Sequence, residues 1–453
     1  MVLAIYSLLS RLFNRISIYL VFIKQVRCNT TSNGVNTSSQ IKMNKNKIKK
    51  GLLLKQLQHA TLQCQGLSEI HPFGTGKKAV LRALEYLGYI QIDTLSVIAR
   101  AHHHTFWTRV PGYQSEYLHQ LVEERAVFEY WFHAASFLPM RDFRYALPKM
   151  LSIKRGEARH YNNAADQNSL RYVYDRIRID GPQKARDFES INKKSGKWWN
   201  WKPAKIALEQ LFMQGDLMIC GRDGMEKVYD LTERVLPDTV NTVEPGPLEF
   251  AEYLIKTHLR AYGFTTIKQI THLRTGESLR KNVKQVLQTM LEEQTVQQIK
   301  IDGMPTIFAL HTLLENTIKK PASHVRLLSP FDNSIIHRDR IEQLFNYNFR
   351  LECYTPKEKR RYGYFCLPIL FGDAFIGRVD CKAHRKNGQF ELIHLHIEDR
   401  REDIESWLDP FVKAVQHFAA FNGCQSIKLS KVSPPELTRT LKQAFKGKTP
   451  INE

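Results

Sequence analysis

No CxxC pair occurs anywhere in this chain of 453 residues, and its seven cysteines (28, 64, 220, 353, 366, 381 and 424) show no bridging pattern. An odd, scattered set of this kind fits reduced thiols in a cytosolic protein and excludes both a disulfide framework and a cysteine-built zinc site. Acidic residues are also scarce, with 45 Asp plus Glu against 66 Lys plus Arg, a net charge of +21 and a pI near 9.6. They form no acidic cluster of the kind a metal-dependent nuclease uses. The basic excess is far larger than solubility needs and points to a polyanion, with nucleic acid ahead of a membrane surface. Apolar runs are interrupted too: Arg11 and Arg15 break MVLAIYSLLSRLFNRISIYLVFIKQVR, leaving a poor membrane span that resembles a targeting segment without a clear cleavage site. At 43% hydrophobic the remainder is neither disordered nor fibrous, and its length allows two to four domains with sizeable cores.

Residues 1–45 are expected to be an N-terminal extension outside the fold, with a polar Asn/Thr/Ser linker before Met43, which is a candidate for the true start. A first domain over 46–135 opens with a helix from Leu52 to Gly66, and Val80, Leu81, Leu84 and Leu87 make the apolar stripe of a second. A short strand around Gln91, a helix over Val97 to His104, a polar helix over Gln114 to Arg125 and a strand over Val127 to Trp131 come next. Helix, helix, strand, helix, strand suits a winged-helix-like unit.

In 136–245, helices are expected over Leu170 to Ile179, Lys184 to Ile191 and from Lys202-Pro203 to Gly215, then a hairpin turning at Asp223-Gly224. A shift of 79 residues lays Ala207, Leu208 and Leu211 on Val286, Leu287 and Met290, Asp223-Gly224-Met225 on Asp302-Gly303-Met304, and Val228-Tyr229 on Ile307-Phe308. Recurrence of a helix face, a turn and a strand at one offset predicts tandem winged helices at 136–245 and 246–320. From 321 to 453 the texture turns to strands, including one over Phe349 to Tyr354, with two closing helices. The fold class expected is therefore α+β: tandem winged-helix (helix-turn-helix) units followed by a mostly antiparallel, partly closed β domain.

One stretch carries candidate chemistry. In Tyr89-Ile90-Gln91-Ile92-Asp93, strand alternation puts Gln91 and Asp93 on one side. A carboxylate two residues from a carboxamide can hold one water, the acid taking its proton and the amide fixing its orientation. The same residues also read as a strand end running into a helix, with Asp93 as its cap and Gln91 exposed. Arg100, His102, His103 and Arg109 come directly after, with Trp107 among them, as a phosphate-lined substrate would require. His102-His103-His104 does not read as a metal site, because neighbours on a helix diverge by about 100°. Lys193, Lys194, Lys197, Lys202 and Lys205 surround Trp198, Trp199 and Trp201, a mix of charge and stacking faces that suits nucleic acid or, equally, a wet loop over buried indoles. Arg360 and Arg361, next to Lys357 and Lys359, make another basic turn, and such runs are usually solvated.

YIQIDTLSVIARAHHHTFWTRVPGY, EYWFHAASFLP, LLSPFDN and RRYGYFCLPILFGDAFIGRVDCKAHRK, in that order, resemble the AlkZ/YcaQ-type winged-helix DNA glycosylases over roughly residues 50–445. The resemblance implies a DNA repair enzyme that hydrolyses the N-glycosidic bond of N7-alkylated purines and unhooks interstrand crosslinks. Gln91 and Asp93 would be catalytic, with no metal or cofactor. It implies double-stranded DNA with alkylated or crosslinked bases as partner, no membrane, a monomer, and a cytoplasmic, nucleoid-associated location. Because a crosslink obstructs base extrusion, an open, groove-facing site is expected. Asp rather than Gln at the second motif position favours the YcaQ-like branch. His133 and Asp332 match family positions, His133 as a possible site neighbour or a satisfied buried histidine and Asp332 as a structural turn. No lysine is clearly placed as a Schiff-base nucleophile, which implies a monofunctional enzyme. A non-enzymatic winged-helix regulator is the alternative that charge and repeat alone would allow.

Overall fold

The computed structural model describes residues 37–158, 164–188, 201–274, 277–315, 318–398 and 404–451. The expected extension up to residue 36, Lys193, Lys194, Lys197, Trp198 and Trp199 lie outside them, as do the side chains of Trp201 and Lys202. Contacts divide the chain into Met1–Leu53 and Leu54–Glu453, and every sheet belongs to the second unit. No described helix is long and apolar enough to cross a membrane.

Helix α1 (Thr37–Cys64) starts before its expected Leu52 and leads to α2 (Gly76–Leu87). Helix α2 buries Ala79, Val80, Ala83, Leu84 and Leu87, a stripe at helical spacing. Gly88 ends it at φ +84°, its N–H returning 2.8 Å to the Leu84 carbonyl. Any Cβ at Gly88 would meet Thr257 Cγ2 at 2.4 Å, so both the left-handed turn and the close approach require glycine.

Strand β1 is only Ile90–Gln91. Helix α3 is Ala101–Trp107, not the expected Val97 to His104, so residues 94–100 form an extended loop. Helix α4 (Ser115–Glu123) and the hairpin of β2 (Val127–Trp131) and β3 (Ala135–Pro139) complete a sheet ordered β1-β3-β2. Since β3 pairs with both other strands, the expected boundary at 135/136 is corrected: a cut there would sever this sheet.

After α5 (Leu147–Lys154), two units share one element order. The first is α6 (Gln167–Asp180), β4 (Gln183–Lys184), α7 (Trp201–Gln214) and the hairpin β5 (Leu217–Asp223) with β6 (Glu226–Leu231). The second is α8 (Pro247–Tyr262), β7 (Phe264–Thr265), α9 (Glu277–Glu292) and β8 (Val296–Ile299) with β9 (Ile307–Leu310). The pairs Leu217↔Leu231, Met218↔Asp230 and Ile219↔Tyr229 return as Val296↔Leu310, Gln297↔Ala309 and Gln298↔Phe308, each shifted by 79 residues. The repeat seen in sequence is thus a repeat of strand register over these pairs; beyond them a bulge in the first hairpin pairs Gly221 with Val228, where the second pairs Ile299 with Ile307. The helix expected over Lys184 to Ile191 is corrected to strand β4 and a short 3-10 turn over Ala185–Phe188; the remaining residues are not described.

The last module orders β10 (Val325–Leu327), β11 (Cys366–Phe371), β12 (Ala374–His384), β13 (Gln389–Ile397) and β14 (Ser426–Ser433) sequentially in one sheet. All pairs are antiparallel except β13–β14, which the long helix α10 (Ile404–Phe421) makes parallel by crossing over. Its two edges do not pair with each other, so the sheet is open rather than partly closed. The strand expected over Phe349 to Tyr354 is a loop. Its shape is fixed instead by Glu352, whose carboxylate accepts the backbone N–H groups of Arg361, Tyr362 and Gly363 at 2.8–3.1 Å.

The modules are joined by the Leu327-to-Arg340 segment. Arg109 and Asp332 are both fully buried and meet as a fork, with N–O distances of 2.7 and 2.8 Å. Arg109 also donates to the Gln65 and Thr105 carbonyls. Asp332 caps the next turn by accepting from Ser334 N at 2.9 Å. The adjacent Asn333 donates to Tyr89 O at 2.9 Å, two residues before Gln91. The expectation that Arg109 contacts a phosphate is therefore corrected, because every polar atom of its head is turned inward. Replacing Arg109 by Leu strands a buried carboxylate and is expected to cost about 3–5 kcal/mol of unfolding free energy in urea titration. A loss below about 1 kcal/mol would show that the pair does not hold the modules together.

Candidate active site

The segment bearing Gln91 and Asp93 is clamped along its length. Ile90 and Gln91 pair with Phe137 and Ser136, and Ile92 N donates to Ala135 O at 2.8 Å. Beyond Asp93 the C-terminal module takes over. Ala383 N donates to Val97 O at 3.0 Å, Arg385 Nη1 to Ser96 O at 2.9 Å, and Ala99 N to Asn422 Oδ1 at 2.6 Å. Ile98 is buried in that module's core, so the loop after Asp93 is packed as part of it.

Asp93 is half-buried, and its Oδ2 accepts the Leu95 N–H at 2.9 Å. That local turn fixes the carboxylate without a helix to cap, since α3 begins eight residues later at Ala101. Burial raises its pKa against two backbone hydrogen bonds that lower it. It lines a cavity of about 150 Å³ together with Arg100, His102, His103, Glu129 and Arg222. Arg222 reaches in from β5 and grips Glu129 with both nitrogens at 2.6 Å. Burial works against the Arg222 charge, but this fork outweighs it and holds the guanidinium above its ordinary value.

Gln91 turns to a different neighbour. Its Oε1 accepts from His133 Nε2 at 3.2 Å, which leaves the amide N–H groups to donate elsewhere. Burial, then the charges of His272 and Arg274, lower the His133 pKa to about 3, so the ring is a neutral donor. No hydrogen bond joins Gln91 to Asp93 among the described residues.

Other expected contacts divide. His102 is 5% exposed and His104 fully buried, with His104 Nε2 donating to Leu327 O at 2.8 Å. The expectation that His102 faces a DNA phosphate in solvent is corrected, since a shielded ring packed edge-on to Phe137 lines only the inner wall of the cavity. His103 is half-buried and bonded to Tyr113 Oη at 2.8 Å. Arg100 is partly exposed, and Lys205 and Arg361 are exposed. Arg360 spends its head on its own loop, with Nε on Thr355 O at 2.8 Å and the guanidinium over the Tyr364 ring.

Several site residues escape a reading of the sequence. Arg222 sits in what reads only as a hairpin turn; the available signal is Glu129, an acid in an apolar strand that needs a cation. Tyr354, 82% exposed on the Glu352-built loop, has its phenol pushed up by burial, then by the charges of Cys353 and Asp93. The 79-residue shift also lays Lys202 and Lys205 on Lys281 and Lys284, both exposed on α9.

A half-buried acid is thus fixed between modules of a strongly basic chain, and comparison with known proteins gives the family. The family model for DNA glycosylase AlkZ-like proteins matches residues 84–413, and the chain belongs to that family. Among solved structures it is similar to the Streptomyces sahachiroi DNA glycosylase AlkZ, with 14% identity and a TM-score of 0.55 over 83% of this chain and 99% of that one. At that identity the likeness concerns the fold.

Next to Gln91, His133, His272, His337 and His258 form a chain with ring centroids 5.0–5.9 Å apart. Burial lowers all four pKa values below the ordinary 6.5, with Arg274, Arg338, Arg340 and Lys268 adding to the effect and Asp339 alone opposing it at His272. A folded-state pKa below the unfolded one means that the unfolded chain binds protons first. Their contribution is therefore present above about pH 6.5 and lost as pH falls below it. The melting temperature is expected to be flat near neutrality and to drop from pH 6.5 towards 5. His337→Phe should flatten that slope, and an unchanged slope would count against the cluster as its source.

Proposed function

We propose that this protein hydrolyses the N-glycosidic bond of N7-alkylated purines in duplex DNA, including those that crosslink two strands, with Asp93 as the general base. The observation carrying this reading is the Asp93 carboxylate itself. It is half-buried, oriented by Leu95 N, raised in pKa, and set on a cavity wall with Arg100 and Arg222. Such an acid keeps its charge near neutral pH while being a better proton acceptor than one in water.

An N7-alkylated purine carries positive charge, so the base departs with the bonding electron pair of the C1′–N9 bond and needs little help from an acid. Positive charge develops on the sugar, which the Asp93 carboxylate stabilises. Water attacks C1′, its proton passes to Asp93, and the products are the free base and an abasic sugar. Gln91, its carbonyl occupied by His133, offers amide N–H groups to the water or the sugar oxygen.

The two repeated units are read as winged helices that grip the duplex. Helices α7 and α9 would face DNA through Lys202 and Lys205 and through their repeat counterparts Lys281 and Lys284, with both wings on the backbone. The domain limits accord with the same reading, with the first module extended through β3.

Incubation with duplex containing 7-methylguanine tests the reaction: the expected product is the free base, and binding without release would overturn the enzymatic reading. Asp93→Asn is expected to slow release by about 10²–10⁴-fold while leaving duplex affinity unchanged; equal loss of both would make Asp93 structural. The base must be unprotonated, so the rate should fall as pH drops through an apparent pKa above the ordinary 3.8. A rate independent of pH down to that value would exclude Asp93 as proton acceptor.

A further inference from the structure

Three guanidiniums approach the Asp93 loop from three separate parts of the fold: those of Arg100 and Arg222 line its cavity, and that of Arg385 is bonded to Ser96 O. Arg100 comes from the loop after β1, Arg222 from the β5–β6 hairpin and Arg385 from the turn between β12 and β13. Arg222 has Glu129 as its counter-charge. The Arg100 guanidinium makes no hydrogen bond or ion pair with any described residue, while its backbone carbonyl accepts from His104 N at 2.9 Å. Arg385 spends one N–H on the Ser96 carbonyl and has no carboxylate partner among the described residues.

Arg100 feels the charge of both other heads. Burial first, then Arg222, then Arg385, hold Arg100 below its ordinary pKa. Bringing like charges together from distant parts of the chain costs free energy unless an anion joins them. The carboxylates near this cavity do not serve: Glu129 is taken by Arg222, while Glu116 and Glu123 on α4 are solvent-exposed. The Asp93 carboxylate accepts from Leu95 N and makes no described bond to Arg100 or Arg385.

We propose that Arg100 and Arg385, backed by the Glu129-locked Arg222, form a subsite for one phosphodiester of the damaged strand, next to the sugar at which Asp93 activates water. The assignment rests on the reaction proposed above and deepens it. A negative acid at the reacting carbon and a cationic trio beside it match the charges of a nucleotide in the transition state, positive at the sugar and negative at the flanking phosphate. Guanidinium forks suit a diester's two free oxygens. Because one member is carried by the C-terminal module, the subsite exists only when that module is docked on the Asp93 loop, which makes correct docking a condition for gripping DNA at the lesion.

The test is a cycle of protein and substrate changes on the full chain. Duplexes carrying one 7-methylguanine are prepared with a neutral methylphosphonate at each phosphate within three positions of the lesion, one at a time. Base release and duplex affinity are measured for the wild type, Arg100→Gln, Arg100→Lys and Arg385→Gln. In the wild type, one flanking position is expected to stand out, losing about tenfold or more in kcat/KM, the scale of a charge-assisted hydrogen bond. In Arg100→Gln the unmodified duplex should show the same loss, and the methylphosphonate at that position should add little to it. This non-additivity marks a direct contact. Arg100→Lys, which keeps the charge, should retain most of the sensitivity. Additive losses, or a wild-type profile with no distinguished phosphate, would overturn the subsite while base release from the unmodified duplex left the glycosylase reading standing. Absence of base release from the unmodified duplex would overturn that reading instead, and the same cycle run on affinity would then decide the phosphate contact alone.

Discussion

A buried ion pair fixes where the modules of this protein stand relative to one another. Arg109 belongs to the first module and Asp332 to the segment that opens the last, and neither head reaches solvent. Burial penalises the Asp332 charge, but the Arg109 guanidinium outweighs it and keeps the carboxyl below its usual range. Two charges in the interior hold only in good geometry with every remaining valence satisfied. Here Gln65, Thr105 and Ser334 satisfy them. A pair of this kind specifies one arrangement more than it adds stability, since any displacement leaves an isolated charge in the core.

That arrangement is what makes a site out of a loop. Asn333, next to Asp332, holds the Tyr89 carbonyl, and Tyr262 Oη donates to the carbonyl of Asn333 at 3.2 Å. The same short segment therefore sets both the strand leading to Gln91 and the second repeat unit. On the other side of Asp93, backbone and side-chain groups of the last module hold Ser96, Val97 and Ala99. Only two residues of regular strand support Gln91, so rigidity comes from the neighbouring modules rather than from the element that carries the acid.

The repeated units show a different economy. Their hairpins start in one register across a shift of 79 residues, yet among the described residues only the first sends an arginine into the Asp93 cavity. Duplicated architecture thus serves two roles, one copy completing the site and both presenting lysines on the corresponding helix. The Glu129–Arg222 fork is what recruits the first copy, because an acid on an inward-facing strand cannot stay unpaired.

Sequence alone determined a good deal. Apolar stripes at helical spacing placed α2, α7 and α9, the Asp-Gly turn placed the β5–β6 hairpin, and the repeat appeared as a fixed offset, because these features are written in local periodicity. The motif residues Gln91 and Asp93 were legible as a carboxamide and a carboxylate two apart. What tertiary structure alone decided was which polar residues face out. Arg109 and His102 look like phosphate contacts in a basic run and lie inside, while Arg222 looks like a turn residue and lines the Asp93 cavity. A charged side chain's direction depends on whether a partner from a distant part of the chain meets it, as Asp332 meets Arg109 across 223 positions. No local pattern encodes that meeting, since it depends on how separately folded modules dock.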